Sequence, residues 1–131
     1  MIGLDTNILV RYLAQDDPIQ SPQATQIIEL RLTETQPGFI SLVTMAETVW
    51  VLDRLYGMSD REIASAIERI LQADTLSVQN EQEVFTAMSI LKTSSGSFSD
   101  ALIAALGTWA GCSSTLTFDK KAIRLQGFKL P

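Results

Sequence analysis

The sequence predicts an α/β sandwich with a mainly parallel sheet. Two observations predict it. Short apolar runs bounded by polar or turn residues alternate along the whole chain with segments of helical periodicity, the order that builds parallel strands with helical crossovers. The composition, 46% apolar and 19% charged, is that of a chain with a packed core. The 131 residues fit one domain, and no internal repeat, low-complexity tract or linker divides them.

Ile2 to Leu4 reads as a buried strand ending at Asp5. Ile8, Leu9, Tyr12 and Leu13 follow at helix spacing, and Asp16-Asp17-Pro18 breaks that helix. Ser21-Pro22 reads as an N-cap with proline at N1, opening a helix through about Leu32. Gln36-Pro37-Gly38 is a turn, and Phe39-Ile40 a second strand. From Ser41 or Leu42 to Tyr56 the pattern is helical and apolar on most sides, which predicts a helix buried in the core or at an oligomer interface around Trp50. Gly57 ends it, and Ser59 to Glu62 forms a capping box for a helix to about Leu71.

Thr75 to Val78 is the third strand, and Asn80 caps a helix to about Lys92. After the polar loop Thr93 to Ser97, Ser99 or Asp100 starts an apolar helix to about Ala110. Thr115 to Phe118 is the fourth strand, ending at Asp119; a short helical turn follows, and Phe128 to Leu130 is a candidate final strand.

Composition excludes several chemistries. There is no histidine, which removes Ser-His-Asp, Cys-His and histidine-based acid–base mechanisms. A single cysteine, Cys112, excludes an intrachain disulfide and a cysteine-built zinc site; its apolar surroundings predict a buried, inert thiol. No apolar stretch approaches the roughly 20 residues of a membrane span, and the N-terminus lacks a basic leader, so a cytoplasmic protein is expected. The net charge of −5 opposes phosphate binding, although Lys120, Lys121, Arg124 and Lys129 concentrate positive charge near the C-terminus. The glycine-rich phosphate loops G-x-x-x-x-G-K-[ST] and G-x-G-x-x-G are absent.

Carboxylates remain. In open α/β sheets, sites form outside the carboxyl ends of strands. Asp5 and Asp119 each end a strand, and both would emerge at one edge if the first and fourth strands were neighbours. Asp100 stands at a helix N-terminus, where an acid also serves as a cap. Glu47 lies within the most apolar helix, sharing a stripe with Val43, Trp50 and Arg54; if buried there it needs a partner, which a cation would provide. Asp53 is a rival acid on the same helix. Clustered carboxylates are the ligands that Mg²⁺ and Mn²⁺ prefer.

Four segments resemble, in order and spacing, those of the PIN-domain ribonucleases, and most closely the VapC-type toxins of toxin–antitoxin pairs: Ile2-Gly-Leu-Asp-Thr-Asn-Ile-Leu-Val10, Met45-Ala-Glu47, Phe98-Ser-Asp-Ala-Leu-Ile-Ala-Ala105 and Thr115-Leu-Thr-Phe-Asp119. The resemblance implies a single PIN domain over residues 1–131, with a three-layer sandwich whose central sheet has four or five short strands. It implies Asp5, Glu47, Asp100 and Asp119 as ligands of one or two Mg²⁺ or Mn²⁺ ions, favours Glu47 over Asp53, and suggests that Thr6, Asn7 and Thr117 support the site through hydrogen bonds. Some relatives carry a further acid just before the phenylalanine, where this chain has Ser97; this bears on the second ion. The implied reaction is hydrolysis of RNA phosphodiesters by an activated water, with Arg11, Lys120 and Lys121 as candidate contacts to the RNA. A homodimer and a small antitoxin partner are implied as well.

Two rival readings stand beside it. One keeps the fold and drops the chemistry: a non-catalytic binding module or co-repressor acting through its antitoxin. The other is a phosphatase with Asp5 as nucleophile. It is disfavoured because the position two residues on, where such enzymes usually carry a second acid, is Asn7.

Overall fold

The computed structural model describes residues 1–131. It is a mixed α/β architecture with six α-helices and short parallel strands. In chain order these are β1 (Ile2–Gly3), α1 (Thr6–Ala14), α2 (Gln20–Gln26), β2 (Gly38–Ile40), α3 (Leu42–Arg54), α4 (Asp60–Gln72), β3 (Leu76–Val78), α5 (Glu81–Lys92), α6 (Phe98–Trp109), β4 (Thr115–Leu116) and β5 (Phe128–Lys129). A π-helical turn, Ile27–Arg31, extends α2, and a 3-10 turn, Ala122–Arg124, precedes β5.

The sheet is small. β1, β2 and β3 form one parallel ladder with β2 in the middle, Gly3 opposite Phe39 and Phe39 opposite Ser77. β4 and β5 form a separate parallel pair, Thr115 opposite Phe128. All five strands expected from the sequence are present, but β1 and β4 share no ladder, so the two acids that follow them are not joined by strand pairing. Each parallel step in the first sheet is spanned by a pair of helices, as same-direction strands require a long crossover. Gly38 opens β2 at a tight point, where a Cβ would meet Leu4 Cδ1 and Leu32 Cδ1 at 2.8 Å.

The core is one cluster of 22 buried residues that draws on the sheet, on α1 and α3 to α6 and, through Ile28, on the π-helical turn after α2; it includes Leu4, Leu9, Ile40, Met45, Leu52, Ile67 and Met88. Amphipathic periodicity explains how each helix joins it. In α4, Ile63, Ala66, Ile67 and Ile70 recur at three- and four-residue intervals and are buried, while Asp60, Arg61 and Arg69 face water. Ser59 caps α4 as read from the sequence: its hydroxyl accepts from Glu62 N–H at 3.2 Å, and the Glu62 carboxylate accepts from Ser59 N–H at 3.0 Å. The Ser59 N–H first, and then the Ser59 side chain, hold the Glu62 carboxyl below its usual range, a contribution present above the unfolded-state value and lost as pH falls through the lower folded one. Ser59→Ala is expected to cost about 1 kcal/mol, read as a lower denaturant midpoint with unchanged slope.

Several local expectations are corrected. The helix after Pro18 begins at Gln20, because Asp17 Oδ1 takes the N–H groups of Ile19 and Gln20 at 3.0 and 2.7 Å; Ser21 is buried instead of capping. Asn80 stands at the N-cap of α5 without a side-chain cap bond, and supplies a left-handed residue, φ 50°. The last long helix starts at Phe98, because Ser97 caps it through Asp100 N–H at 3.1 Å. α3 is not buried all round: Met45, Thr48, Val49 and Leu52 face the core, while Val43 and Trp50 are exposed. Cys112 is exposed, just past the end of α6, so the expected buried thiol is overturned. No helix is long and apolar enough to cross a membrane.

Candidate functional site

Two of the four acids line one cleft beyond the carboxyl ends of adjacent parallel strands. β1 leads through Leu4 to Asp5, the N-cap of α1; Asp5 Oδ1 accepts from Thr6 N–H at 2.7 Å, and its carbonyl accepts from Ile8 N–H at 3.1 Å. β2 leads to Ser41, whose hydroxyl accepts from Thr44 N–H at 3.1 Å and starts α3. α3 packs on α1 and carries Glu47. A cleft of about 310 Å³ lies between the two helices. Asp5, Thr6, Asn7 and Arg11 line one side, and Glu47 and Tyr56 the other, with Val10 and Val51 among the apolar walls.

Glu47 is exposed, and so are Val43, Trp50 and Arg54 along its stripe. The argument that burial demands a partner for Glu47 therefore fails; what distinguishes this residue is the cleft it shares with Asp5. Asp53, the rival, is exposed outside that lining and pairs with Arg54 at 3.5 Å.

The other two acids lie on separate elements. Asp100 is the third residue of α6, half-buried; Ser97 caps the helix, so the Asp100 carboxylate is not consumed as the cap. Asp119 follows β4 in an exposed turn, its Oδ1 accepting from Lys121 N–H at 2.8 Å. Thr117 shapes that turn, its hydroxyl accepting from Asp119 N–H at 3.0 Å. Thr6 is buried below Asp5, and Asn7 is exposed at the cleft. No three carboxylates lie close enough to form a ready-made cage for one ion.

The cations behave differently from one another. Lys120 and Lys121 are exposed and make no ion pair. Arg11 is engaged: its Nη1 donates to Asp16 at 3.2 and 3.3 Å and to the Tyr56 hydroxyl at 3.3 Å, and its Nε donates to Gln20 Oε1 at 2.9 Å. Tyr56 O–H donates to Asp16 Oδ2 at 2.7 Å. That bond, more than the Arg11 charge, holds the Asp16 carboxyl below its usual range, and in return it raises the Tyr56 phenol. Sequence reading missed Asp16, Gln20 and Tyr56. Asp16 reads only as part of a helix break, Gln20 carries no signal of its own, and Tyr56 lies 45 residues from Arg11 with no local pattern to link them.

The donor chemistry fits a hard divalent cation. Mg²⁺ is commonly held by one or two carboxylates with water and substrate phosphate completing the shell, and Asp5 and Glu47 offer two carboxylates in one cleft. No curated protein matches the chain in sequence. The model of the PIN domain matches residues 2–127, nearly the whole chain, and with α/β architecture and parallel strands in agreement, the chain belongs to the PIN domain family.

Proposed function

We propose that this protein is a divalent-metal-dependent ribonuclease acting in the cytoplasm as the toxin of a toxin–antitoxin pair, with residues 1–131 forming one catalytic domain. PIN domains are generally nucleases, and the observation that carries the reading is the pairing of Asp5 with Glu47 in one cleft at the strand ends. Asp5, Glu47, Asp100 and Asp119 would hold one or two Mg²⁺ or Mn²⁺ ions. When bound there, such a cation polarises a phosphoryl oxygen and makes water a stronger nucleophile near neutral pH.

The chain's own residues then have distinct tasks. Asp5 is fixed by its cap bond to Thr6, leaving the second carboxylate oxygen without a protein donor. Thr6 and Asn7 shape the wall beside it, and Thr117 holds the turn that presents Asp119. Arg11, Lys120 and Lys121 contact the RNA backbone. A homodimer and a small antitoxin are supported by exposed large apolar side chains, among them Val43 and Trp50 on α3 and Trp109 at the end of α6.

One observation favours a second reading, a non-catalytic binding module or co-repressor working through its antitoxin: the four acids do not converge on a single point. Calorimetric titration of EDTA-stripped protein with Mn²⁺ separates the two. The metal-dependent reading expects binding by the wild type and none by a folded Asp5→Asn/Asp119→Asn variant. Absence of wild-type binding, both alone and with a short RNA present, leaves the binding-module reading.

A further inference from the structure

Arg11 combines two properties that a surface ion pair does not explain together. It lines the cleft that holds Asp5 and Glu47, and it is fixed by three side chains from three separate segments. Asp16 lies just beyond α1, Gln20 begins α2 and Tyr56 follows α3. Their bonds occupy Nε and Nη1, on opposite flanks of the guanidinium, so its plane is held from both sides, while Nη2 donates to no protein group. Tyr56 closes the arrangement by accepting from Arg11 and donating to Asp16, so each member orients another. An arginine needed only to neutralise Asp16 would not require Gln20 and Tyr56 to hold its plane. A guanidinium plane held in advance loses little entropy when its free nitrogen meets a phosphate.

We propose that Asp16, Gln20 and Tyr56 form a clamp that presents the free Nη2 of Arg11 to a backbone phosphate of RNA lying in the Asp5–Glu47 cleft. The proposal rests on the ribonuclease reading for the identity of the substrate. Arg11 is the binding group; Asp16, Gln20 and Tyr56 are positioning residues. Two consequences distinguish a positioned guanidinium from a mere positive charge. Arg11→Lys keeps the charge and loses the planar group that the three side chains hold, so it should not support binding like its parent. Removal of the Tyr56 hydroxyl leaves every charge in place and loosens only the orientation.

The test has a binding arm and a kinetic arm. Affinity for a short single-stranded RNA is measured by fluorescence anisotropy in the Asp5→Asn background with Mg²⁺ present, where cleavage does not consume the probe. Adding Arg11→Lys is expected to weaken binding about tenfold, with the slope of log Kd against log salt unchanged because no charge is lost. Adding Tyr56→Phe is expected to weaken it about threefold, the scale of one oriented hydrogen bond. In the otherwise wild-type enzyme, Tyr56→Phe should raise KM by a similar factor and leave kcat unchanged.

The clamp is overturned if Arg11→Lys binds like its parent, if Tyr56→Phe lowers kcat instead of raising KM, or if lost binding merely tracks the unfolded fraction seen by circular dichroism. Failure of the Asp5→Asn parent to bind RNA overturns it as well. A wild type that cleaves RNA, with KM unmoved by Tyr56→Phe, sinks the clamp and leaves the ribonuclease reading standing. A wild type that cleaves nothing sinks the ribonuclease reading, while the binding arm still judges the clamp.

Discussion

The Asp5→Asn protein is expected to keep its fold and lose Mn²⁺-dependent RNA cleavage by at least about 100-fold, the scale on which a single electrostatic contributor to a transition state is felt. The fold should survive because the structural task of Asp5 is a cap. Its Oδ1 accepts from Thr6 N–H, and an asparagine carbonyl can accept the same bond; the two residues rank alike at N-caps. What asparagine lacks is the negative charge that a divalent cation requires. Glu47→Gln should behave alike, since Glu47 is exposed and makes no ion pair. The measurement is cleavage of a labelled RNA across a Mn²⁺ series, with circular dichroism melting of each variant beside it. A variant that melts like the wild type and cuts like the wild type removes Asp5 from the mechanism.

Leu52→Ala should produce the largest loss of stability, about 2–5 kcal/mol. Leu52 is 1% exposed, on the face of α3 that joins the common core, and truncation leaves a cavity the surrounding helices cannot fill without moving. For a domain with a total stability of roughly 5–15 kcal/mol, that is a large fraction. Leu30, the same residue type in the π-helical turn, is 77% exposed, and Leu30→Ala should change stability by no more than about 0.5 kcal/mol. Urea titration of the pair checks both numbers. Similar losses for the two leucines would show that the buried face of α3 has been wrongly identified.

The contrast between those leucines also marks what the sequence could convey. Periodicity placed the strands and most helix bounds, because a 3.6-residue pattern or a short apolar run is a local property of the chain. It could not separate the two apolar faces of α3: Val43 and Trp50 look as burial-prone as Met45 and Leu52, and only the position of the helix at the periphery of the chain tells them apart. Caps were legible where one side chain had a fixed partner three residues on, as at Ser59, and less so where two acceptors competed, as at Asp17 and Ser21. The same division runs through the site. Asp5 and Asp119 could be placed at strand ends from local pattern. Their spatial relation could not, because it depends on which strands pair, and β1 and β4 do not. The Arg11 cluster lay beyond reach entirely, being assembled by the packing of three segments distant along the chain.

The division of the sheet into two ladders has a thermodynamic consequence. Asp119 follows a two-residue strand, and the backbone bonds at its flanks are few, Thr115 N–H to Gly127 O at 2.7 Å and Thr117 N–H to Lys129 O at 3.0 Å among them. Such a corner is expected to open at lower free energy than the helices around Leu52 and Ile67, its amides exchanging with solvent ahead of the rest of the molecule. A ligand that binds only the closed arrangement then draws part of its effect from closing it, and raises the local opening free energy by RT ln(1 + [L]/Kd). If Asp119 holds the ion as proposed, occupancy of the site and order in the C-terminal ladder become two readings of one equilibrium.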